Sequence, residues 1–123
     1  MAKVLIVDDS PTEVHVLSGF LKKHGFEVET AADGGEGIEK ARAVKPDLIL
    51  MDVVMPGMNG FQATRELARA PETASIPVIM VTTKGLETDK IWGMRQGAKD
   101  YLVKPVTEAV LVEKVRGALE GHD

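Results

Sequence analysis

Short apolar runs recur along this chain and limit what it can fold into more than any other feature. They cover residues 4–7, 48–51, 78–81 and, more weakly, 101–103. Each is only about four residues long and rich in leucine or β-branched residues, which is typical of strands buried on both faces of a parallel sheet. Residues 28–32 are more polar and predict an edge strand.

The stretch after the first apolar run carries the signals of a helix N-terminus. Ser10 predicts an N-cap, Pro11 takes the first helical position, and Glu13 is placed to complete a capping box with Ser10. Apolar residues then follow at helical spacing, and Gly25 predicts the end of the helix. These apolar residues are Val14, Leu17 and Leu21.

Four further helical stretches alternate with the remaining strands. They are predicted from after Asp33 to residue 45, from 61 to 69, between 87 and 97, and from Thr107 onwards. The apolar stripe of the last helix is predicted to contain Val110, Leu111, Val115 and Leu119. Because strands and helices alternate, we predict right-handed crossovers and a doubly wound α/β fold around a five-stranded parallel sheet, formed by residues 1–123 as one domain.

Chemically distinctive residues follow the predicted strands at their carboxyl ends, where ligands bind in sheets of this kind. They are Asp8 and Asp9 after the first strand, Asp52 after the third, Thr82 and Thr83 after the fourth, and Lys104 with Pro105 after the fifth. Each alone is more simply explained as a solvated turn residue or a surface lysine. Because all of them fall at one edge of the predicted sheet, we interpret the cluster as a functional site.

Three carboxylates at one edge need a compensating charge. Two carboxylates about 4 Å apart repel by ~4 kcal/mol at an effective dielectric constant near 20, so the cluster must take up a proton or hold a cation. Oxygen ligands without histidine or cysteine select a hard divalent ion, and Mg²⁺ fits best. A carboxylate beside Mg²⁺, with a lysine and hydroxyl groups for the phosphoryl oxygens, predicts phosphoryl transfer to an aspartate.

The composition excludes several function classes. The chain has no cysteine, which rules out disulfides, thiolate metal sites and thiol nucleophiles. Its 15 basic and 19 acidic residues give a formal net charge of −4, so we expect neither a nucleic acid nor a membrane as partner. No apolar run approaches the ~18 residues of a membrane span, and the N-terminus lacks the pattern of a signal peptide, so we expect a cytoplasmic protein.

The same residues resemble the receiver domain of two-component response regulators. The resemblance rests on Asp8-Asp9, on Asp52 within the segment LMDVVMPGMNG at 50–60, on Thr82 and on Lys104-Pro105, and it spans essentially the whole chain. It implies a flavodoxin-like (βα)5 fold with strand order 2-1-3-4-5.

The resemblance also implies roles for single residues. Asp52 would accept a phosphoryl group from a histidine kinase, either CheA-like or hybrid. The other implied roles are Mg²⁺ binding by Asp8, Asp9, Asp52 and the backbone carbonyl of Val54, phosphoryl binding by Thr82, Thr83 and Lys104, switching by Thr82 and Tyr101, and a conformational role for Pro105. Tyr101 matches the aromatic residue that rotates inward on activation, and Asp8 would act on the ion largely through water.

Several surface segments resemble a narrower group, the PilH-type single-domain regulators of type IV pilus twitching motility. They are residues 10–13, 60–65 and 87–90, together with Trp92-Gly93. The chain ends at His122-Asp123, just past the fifth predicted helix, so we expect no output domain. We therefore expect a monomeric switch that binds an unidentified downstream protein when phosphorylated, or that serves as a phosphate sink for another regulator.

Three positions depart from the commonest receiver pattern. Val54 is apolar and cannot orient an attacking water by hydrogen bonding, and Lys84 occupies a second variable position. We predict that these two residues tune the lifetime of the phosphoryl group. Thr83 is bulkier than the alanine that is frequent there, and we expect it to narrow access to Asp52.

Trp92 is the only tryptophan, and two interpretations of it stay open. It either packs against neighbouring helix or loop residues or, with Tyr101, belongs to a partner surface on the fourth helix, the fifth strand and the fifth helix. The histidines, His15, His24 and His122, have no neighbouring metal-ligand residues in the sequence, and we interpret them as ordinary surface or packing residues.

Two other function classes share part of this chemistry. An aspartyl-phosphate phosphatase of the haloacid-dehalogenase type needs an acid two residues after its nucleophile, where this chain has Val54. A nucleotide or flavin module places glycines or hydroxyl groups after the first strand, so that backbone N–H groups meet a phosphate. Here that loop begins with Asp8 and Asp9, which repel phosphate unless a cation intervenes.

Overall fold

The structure is a computed structural model that describes residues 1–121. It contains a parallel sheet of five strands in the order β2-β1-β3-β4-β5, with a helix after each strand. The elements are β1 (Lys3–Val7), α1 (Pro11–Lys23), β2 (Glu27–Ala31), α2 (Gly34–Val44), β3 (Leu48–Met51), α3 (Gly60–Arg69), β4 (Val78–Thr82), α4 (Glu87–Arg95), β5 (Asp100–Val103) and α5 (Glu108–Leu119). This confirms the predicted α/β fold and strand order.

The helices cover both faces of the sheet because successive strand residues point to opposite sides. Leu5 and Val7 of β1 belong to the core under α2 and α3, which contribute residues such as Ile38 and Leu67. The alternate residues of β1 and β3 belong to a second core under α1 and α5. Its members include Val4, Ile6, Leu48, Leu50, Leu17, Leu21, Leu111 and Val115. Both faces of the inner strands are therefore buried, as the continuous apolar runs predict.

The strand register brings the carboxyl ends of the strands to one edge. Val7 of β1 lies opposite Met51 of β3, and Asp52 donates its backbone N–H to the Val7 carbonyl at 2.9 Å. At the other side of β4, Lys104 donates its backbone N–H to the carbonyl of Thr82 at 2.8 Å. The polar residues that follow the strands are thus held in place by continuations of the sheet hydrogen bonds.

Two local predictions in the helices are wrong. The capping box expected at α1 is only half present, because Ser10 Oγ accepts from the Glu13 N–H at 3.3 Å while the Ser10 N–H donates to Asp8 Oδ1 at 2.9 Å. A reciprocal capping box occurs at α3 instead, between Asn59 and Gln62.

The inward face of α5 is also rotated relative to the prediction. Val110 is 40% exposed, whereas Val112 is buried beside Leu111 and Val115. Residues 111, 112 and 115 lie on one side of a helix, and residue 110 lies about 100° further round. Which side faces the sheet is set by packing, which the apolar spacing alone does not specify. None of the helices formed by residues 1–121 is both long and apolar enough to span a bilayer.

Candidate phosphorylation and metal site

Three carboxylates meet at the carboxyl edge of the sheet, as predicted. Ligand oxygens of Asp8, Asp9 and Asp52 all lie within 4.8 Å of one another. Asp8 and Asp52 are buried, whereas Asp9 is exposed. An all-oxygen donor set with two buried negative charges fits a hard divalent cation such as Mg²⁺, which keeps several waters in its shell.

The two buried aspartates differ in how their oxygens are used. Asp8 accepts from the Ser10 N–H through Oδ1, at 2.9 Å, and from Lys104 Nζ through Oδ2, at 2.7 Å. Asp52 accepts from the Val53 N–H through Oδ1, at 2.8 Å, and its Oδ2 lies 3.7 Å from Lys104 Nζ. Lys104 therefore hydrogen-bonds Asp8 and makes only a longer ion pair with Asp52.

The surroundings of Asp52 disfavour its charged form. Burial raises the pKa of Asp52, and the negative charge of Asp8 raises it further. Lys104, a hydrogen bond with the Thr82 side chain and the Val53 N–H lower the pKa and offset part of this rise. A cation at the cluster would favour the ionised carboxylate that nucleophilic attack requires.

Lys104 has an almost fully buried side chain that points into the acidic cluster. Its ammonium also lies 3.9 Å from Glu13 Oε1, so that a fourth carboxylate, which is half-exposed, faces the site. Glu13 was expected to serve only as a helix cap, and its second role depends on the approach of β5 to α1, which sequence spacing does not show. The peptide bond between Lys104 and Pro105 is cis.

The two threonines after β4 have different environments. Thr82 is fully buried, and its Oγ1 accepts from the Lys84 N–H at 3.3 Å. Thr83 is exposed to solvent. Val54, two residues after Asp52, is 58% exposed and presents no polar side-chain group to it. Thr82 is thus the threonine held against the acidic cluster.

Tyr101 lies inside the protein and is tied to the loop after β4. Its side chain is 8% exposed, and its hydroxyl donates to the backbone carbonyl of Lys84 at 2.7 Å. Burial, followed by the negative charges of Asp89 and Asp52, raises the pKa of Tyr101 to about 12. The Lys84 side chain points elsewhere, with Nζ 3.7 Å from Asp89 Oδ1. The predicted switch residues Thr82 and Tyr101 are therefore both bonded to the backbone of Lys84.

Gly60 ends the motif around Asp52, and the structure shows its close approach to the site. A Cβ atom at Gly60 would lie 1.9 Å from the carbonyl oxygen of Asp52, so only glycine fits there. The Gly60 N–H also donates to the carbonyl of Val53 at 2.9 Å. A glycine at the first position of a helix, directly after a capping asparagine, was the signal that could have identified this close approach.

A family model for the response regulator receiver domain matches residues 4–116 of the chain. The chain belongs to the response regulator receiver family. This agrees with the positions of Asp8, Asp9 and Asp52 around Lys104 at one edge of the sheet.

Individual relatives support the same assignment. The chain is 59% identical over 121 residues to Protein PilH of Pseudomonas aeruginosa, which covers 98% of this chain and 100% of that protein. The structure of the chemotaxis protein CheY4 of Vibrio cholerae superposes with a TM-score of 0.89 at 39% identity, covering 94% of this chain and 97% of that one. A chain in the structure of a CheX–CheY–BeF3–Mg²⁺ complex from Borrelia burgdorferi superposes with a TM-score of 0.89 at 31% identity, covering 95% of this chain and 88% of that one.

Trp92 is placed apart from Tyr101 in this receiver domain. It is 47% exposed and lines a groove between α3 and α4, whereas Tyr101 is buried under α4.

His24 pairs with Glu108, its Nε2 lying 2.7 Å from Oε2, and this hydrogen bond lowers the pKa of Glu108. His15 is exposed, and His122 lies outside the described residues.

Proposed function

We propose that this receiver domain accepts a phosphoryl group on Asp52 from a histidine kinase, in a reaction that depends on Mg²⁺. The observation that carries the proposal is the position of Asp52, whose Oδ2 lies 3.7 Å from the buried ammonium of Lys104 within the carboxylate cluster. A lysine and a cation site on either side of one carboxylate are the components that phosphoryl transfer to an aspartate requires.

The reaction follows from this arrangement. An oxygen of the Asp52 carboxylate attacks the phosphorus of a phosphohistidine, a P–O bond forms, and the P–N bond breaks so that imidazole leaves. Lys104 and the Thr82 hydroxyl are close enough to stabilise the negative charge on the phosphoryl oxygens. When bound at the carboxylates, Mg²⁺ would supply further positive charge to the transferred group.

Phosphorylation would then redistribute the existing hydrogen bonds. It adds about −1.5 to −2 charges at Asp52, which competes with Asp8 for the Lys104 ammonium. The Thr82 hydroxyl, which accepts from the Lys84 N–H and hydrogen-bonds Asp52, would donate to a phosphoryl oxygen instead of to the free carboxylate. Because Tyr101 is bonded to the Lys84 carbonyl, a change at Thr82 reaches Tyr101 through a single residue. We expect the loop after β4, which contains Lys84, to have two arrangements, one for each state of Asp52.

The acceptor can be tested by labelling with acetyl phosphate or a kinase domain in the presence of Mg²⁺. Wild-type protein should be labelled and Asp52→Asn should not. Asp100→Asn, which removes the same charge at the opposite end of the sheet, should be labelled like wild type. Label that persists in Asp52→Asn on an acid-stable residue would refute the assignment of the acceptor.

We further propose that the domain acts in the control of type IV pili, by binding a downstream protein in its phosphorylated form. The support is the 59% identity to PilH over the full length of that protein. In a strain that lacks PilH, expression of this chain should restore wild-type twitching motility and Asp52→Asn should not. A phosphorylated form that pulls down no protein beyond those captured by Asp52→Asn would favour the phosphate-sink alternative instead.

The exposed side chain of Val54 supports a proposal about phosphoryl lifetime. Since valine cannot hydrogen-bond an attacking water, Val54→Asn should speed the loss of the phosphoryl group. Equal or slower loss in the variant would contradict this reasoning. Lys84→Ala tests the second lifetime position in the same assay. The lack of an acid at position 54 also argues against the phosphatase alternative.

A further inference from the structure

A groove of about 390 Å³ lies between α3 and α4, on the side of α4 that faces α3. Arginines line it from both helices, Arg65 and Arg69 from α3 and Arg95 from α4, and Trp92 contributes part of its surface. None of these residues belongs to the phosphorylation site. The groove is therefore a second concave feature with its own chemistry.

The charge of this groove is positive and uncompensated. Arg65 and Arg69 are four residues apart and share one face of α3, and all three arginines are exposed. Within residues 1–121 no carboxylate comes within 4.0 Å of their guanidinium groups, whereas the exposed Arg42 on α2 does pair with Glu72. The chain as a whole has a net charge of −4. These three unpaired arginines are therefore a local positive surface on an acidic protein.

Trp92 gives the groove an apolar component. Trp92 is 47% exposed and lines the groove, so part of its surface is open to a ligand. Tryptophan and arginine are the residue types that most often dominate the binding energy of protein interfaces, because each combines a large flat surface with hydrogen-bond donors. The composition of the groove therefore suits a ligand that is both anionic and partly apolar.

We propose that this groove is a docking surface for an acidic segment of a protein partner, with its carboxylates on the arginines and an apolar side chain against Trp92. Charge complementarity identifies the occupant, since a bidentate arginine matches a carboxylate.

The extent of the basic surface favours a protein segment over a mononucleotide. Arg65 and Arg69 also line a second, neighbouring hollow of about 640 Å³, with Met58, Gln62 and one acid, Glu66. Because the two hollows share Arg65 and Arg69, an extended chain that binds these arginines can contact both hollows.

This docking surface is distinct from the exposed apolar side of α4. Ile91 and Met94 line a separate hollow on that side of the helix and share only Arg95 with the groove. The proposed docking does not require phosphorylation of Asp52, and it can be tested on the unmodified chain. Its failure would leave the proposed phosphorylation untouched.

The single tryptophan reports on the groove directly. The probe is a capped peptide of Glu-Leu-Glu repeats, titrated at low ionic strength while the emission of Trp92 is followed. We expect the emission to change saturably and the dissociation constant to rise with added salt, because the contacts are exposed ion pairs. A Lys-Leu-Lys peptide of the same length should leave the emission unchanged.

Substitution of single arginines locates the binding. Arg65→Gln and Arg95→Gln should each raise the dissociation constant about twofold to fivefold, as expected for exposed charge pairs. Arg116→Gln, which removes an exposed arginine from α5, should not change it. These arginines are exposed, so the variants should keep the wild-type thermal midpoint.

Three results would overturn the proposal. The first is an emission change that the acidic and basic peptides produce equally. The second is an equal loss of affinity in Arg116→Gln and Arg65→Gln. The third is a response to AMP at lower concentrations than to the peptide, which would make the groove a nucleotide site instead.

Discussion

Replacing Asp52 by asparagine should stabilise the metal-free domain, because it removes a buried charge from a repulsive cluster. Ligand oxygens of the three carboxylates lie within 4.8 Å of one another, and two charges at that distance repel by about 3.5 kcal/mol at an effective dielectric constant near 20. For Asp52 the repulsion from Asp8 is offset by the attraction to Lys104 at 3.7 Å, which is about 4.5 kcal/mol on the same scale, so burial is the main cause that disfavours the charged carboxylate. Because the neutral amide has no charge to desolvate, we expect a net gain on substitution of about 1 to 2 kcal/mol.

The assay is thermal unfolding in EDTA and again with saturating Mg²⁺. In EDTA, Asp52→Asn should raise the midpoint by about 4 to 8 °C for a domain of this size. Mg²⁺ should stabilise wild type by about 2.7 kcal/mol at a hundredfold excess over its dissociation constant, and the variant by less. Glu39→Gln removes an equal charge from the exposed face of α2 and should have no comparable effect.

The pH dependence follows from the direction of the pKa shift. The folded state raises the pKa of Asp52, so ionisation of this carboxyl destabilises the protein once the pH rises through the folded value. The advantage of Asp52→Asn should therefore be present at neutral pH, fade as the pH falls through the folded pKa towards the ordinary value of 3.8, and be gone below 3.8. A variant that is no more stable than wild type in EDTA at pH 7, or that responds equally to Mg²⁺, would refute the reasoning.

Three further predictions concern packing around the site. Tyr101 is the only tyrosine, so an ultraviolet titration should show a single midpoint near pH 12, and a midpoint near 10 would contradict its burial. Gly93→Ala should destabilise the domain by about 1 to 3 kcal/mol in a urea titration, because its Cβ would lie 2.9 Å from Tyr101 Cδ2. Gly19→Ala, at an exposed and uncrowded helix position, should instead stabilise by about 0.5 to 1 kcal/mol. Thr64→Val should stabilise by about 1 kcal/mol in the same titration, since the buried Thr64 Oγ1 has no hydrogen-bond partner among residues 1–121, and a loss of stability would contradict this.

The fold and the acidic cluster could be predicted because the information for them is local. Strands buried on both faces appear as continuous apolar runs, and the residues directly after such runs meet at one edge of a parallel sheet. That rule alone predicts that Asp8, Asp52 and Lys104 lie together. In the structure, Lys104 Nζ lies 2.7 Å from Asp8 Oδ2 and 3.7 Å from Asp52 Oδ2.

The remaining features depend on contacts between segments that are distant in the chain. Ser10 offers its N–H to Asp8 rather than to Glu13, which leaves Glu13 free to face Lys104. The requirement for glycine at position 60 arises only when α3 turns back against the carbonyl of Asp52. In each case several local arrangements were possible, and tertiary packing selected one.

The ion pair between Lys104 and Asp8 joins residues 96 positions apart, and this separation bears on how the domain acquires its function during synthesis. A nascent chain that has reached only β4 already contains every carboxylate of the cluster but lacks the ammonium that lies between them. Closing so long a loop is entropically costly and is a late event in folding. The domain should therefore become competent for phosphorylation only after β5 has joined the sheet, so a kinase has no functional substrate in an unfinished chain.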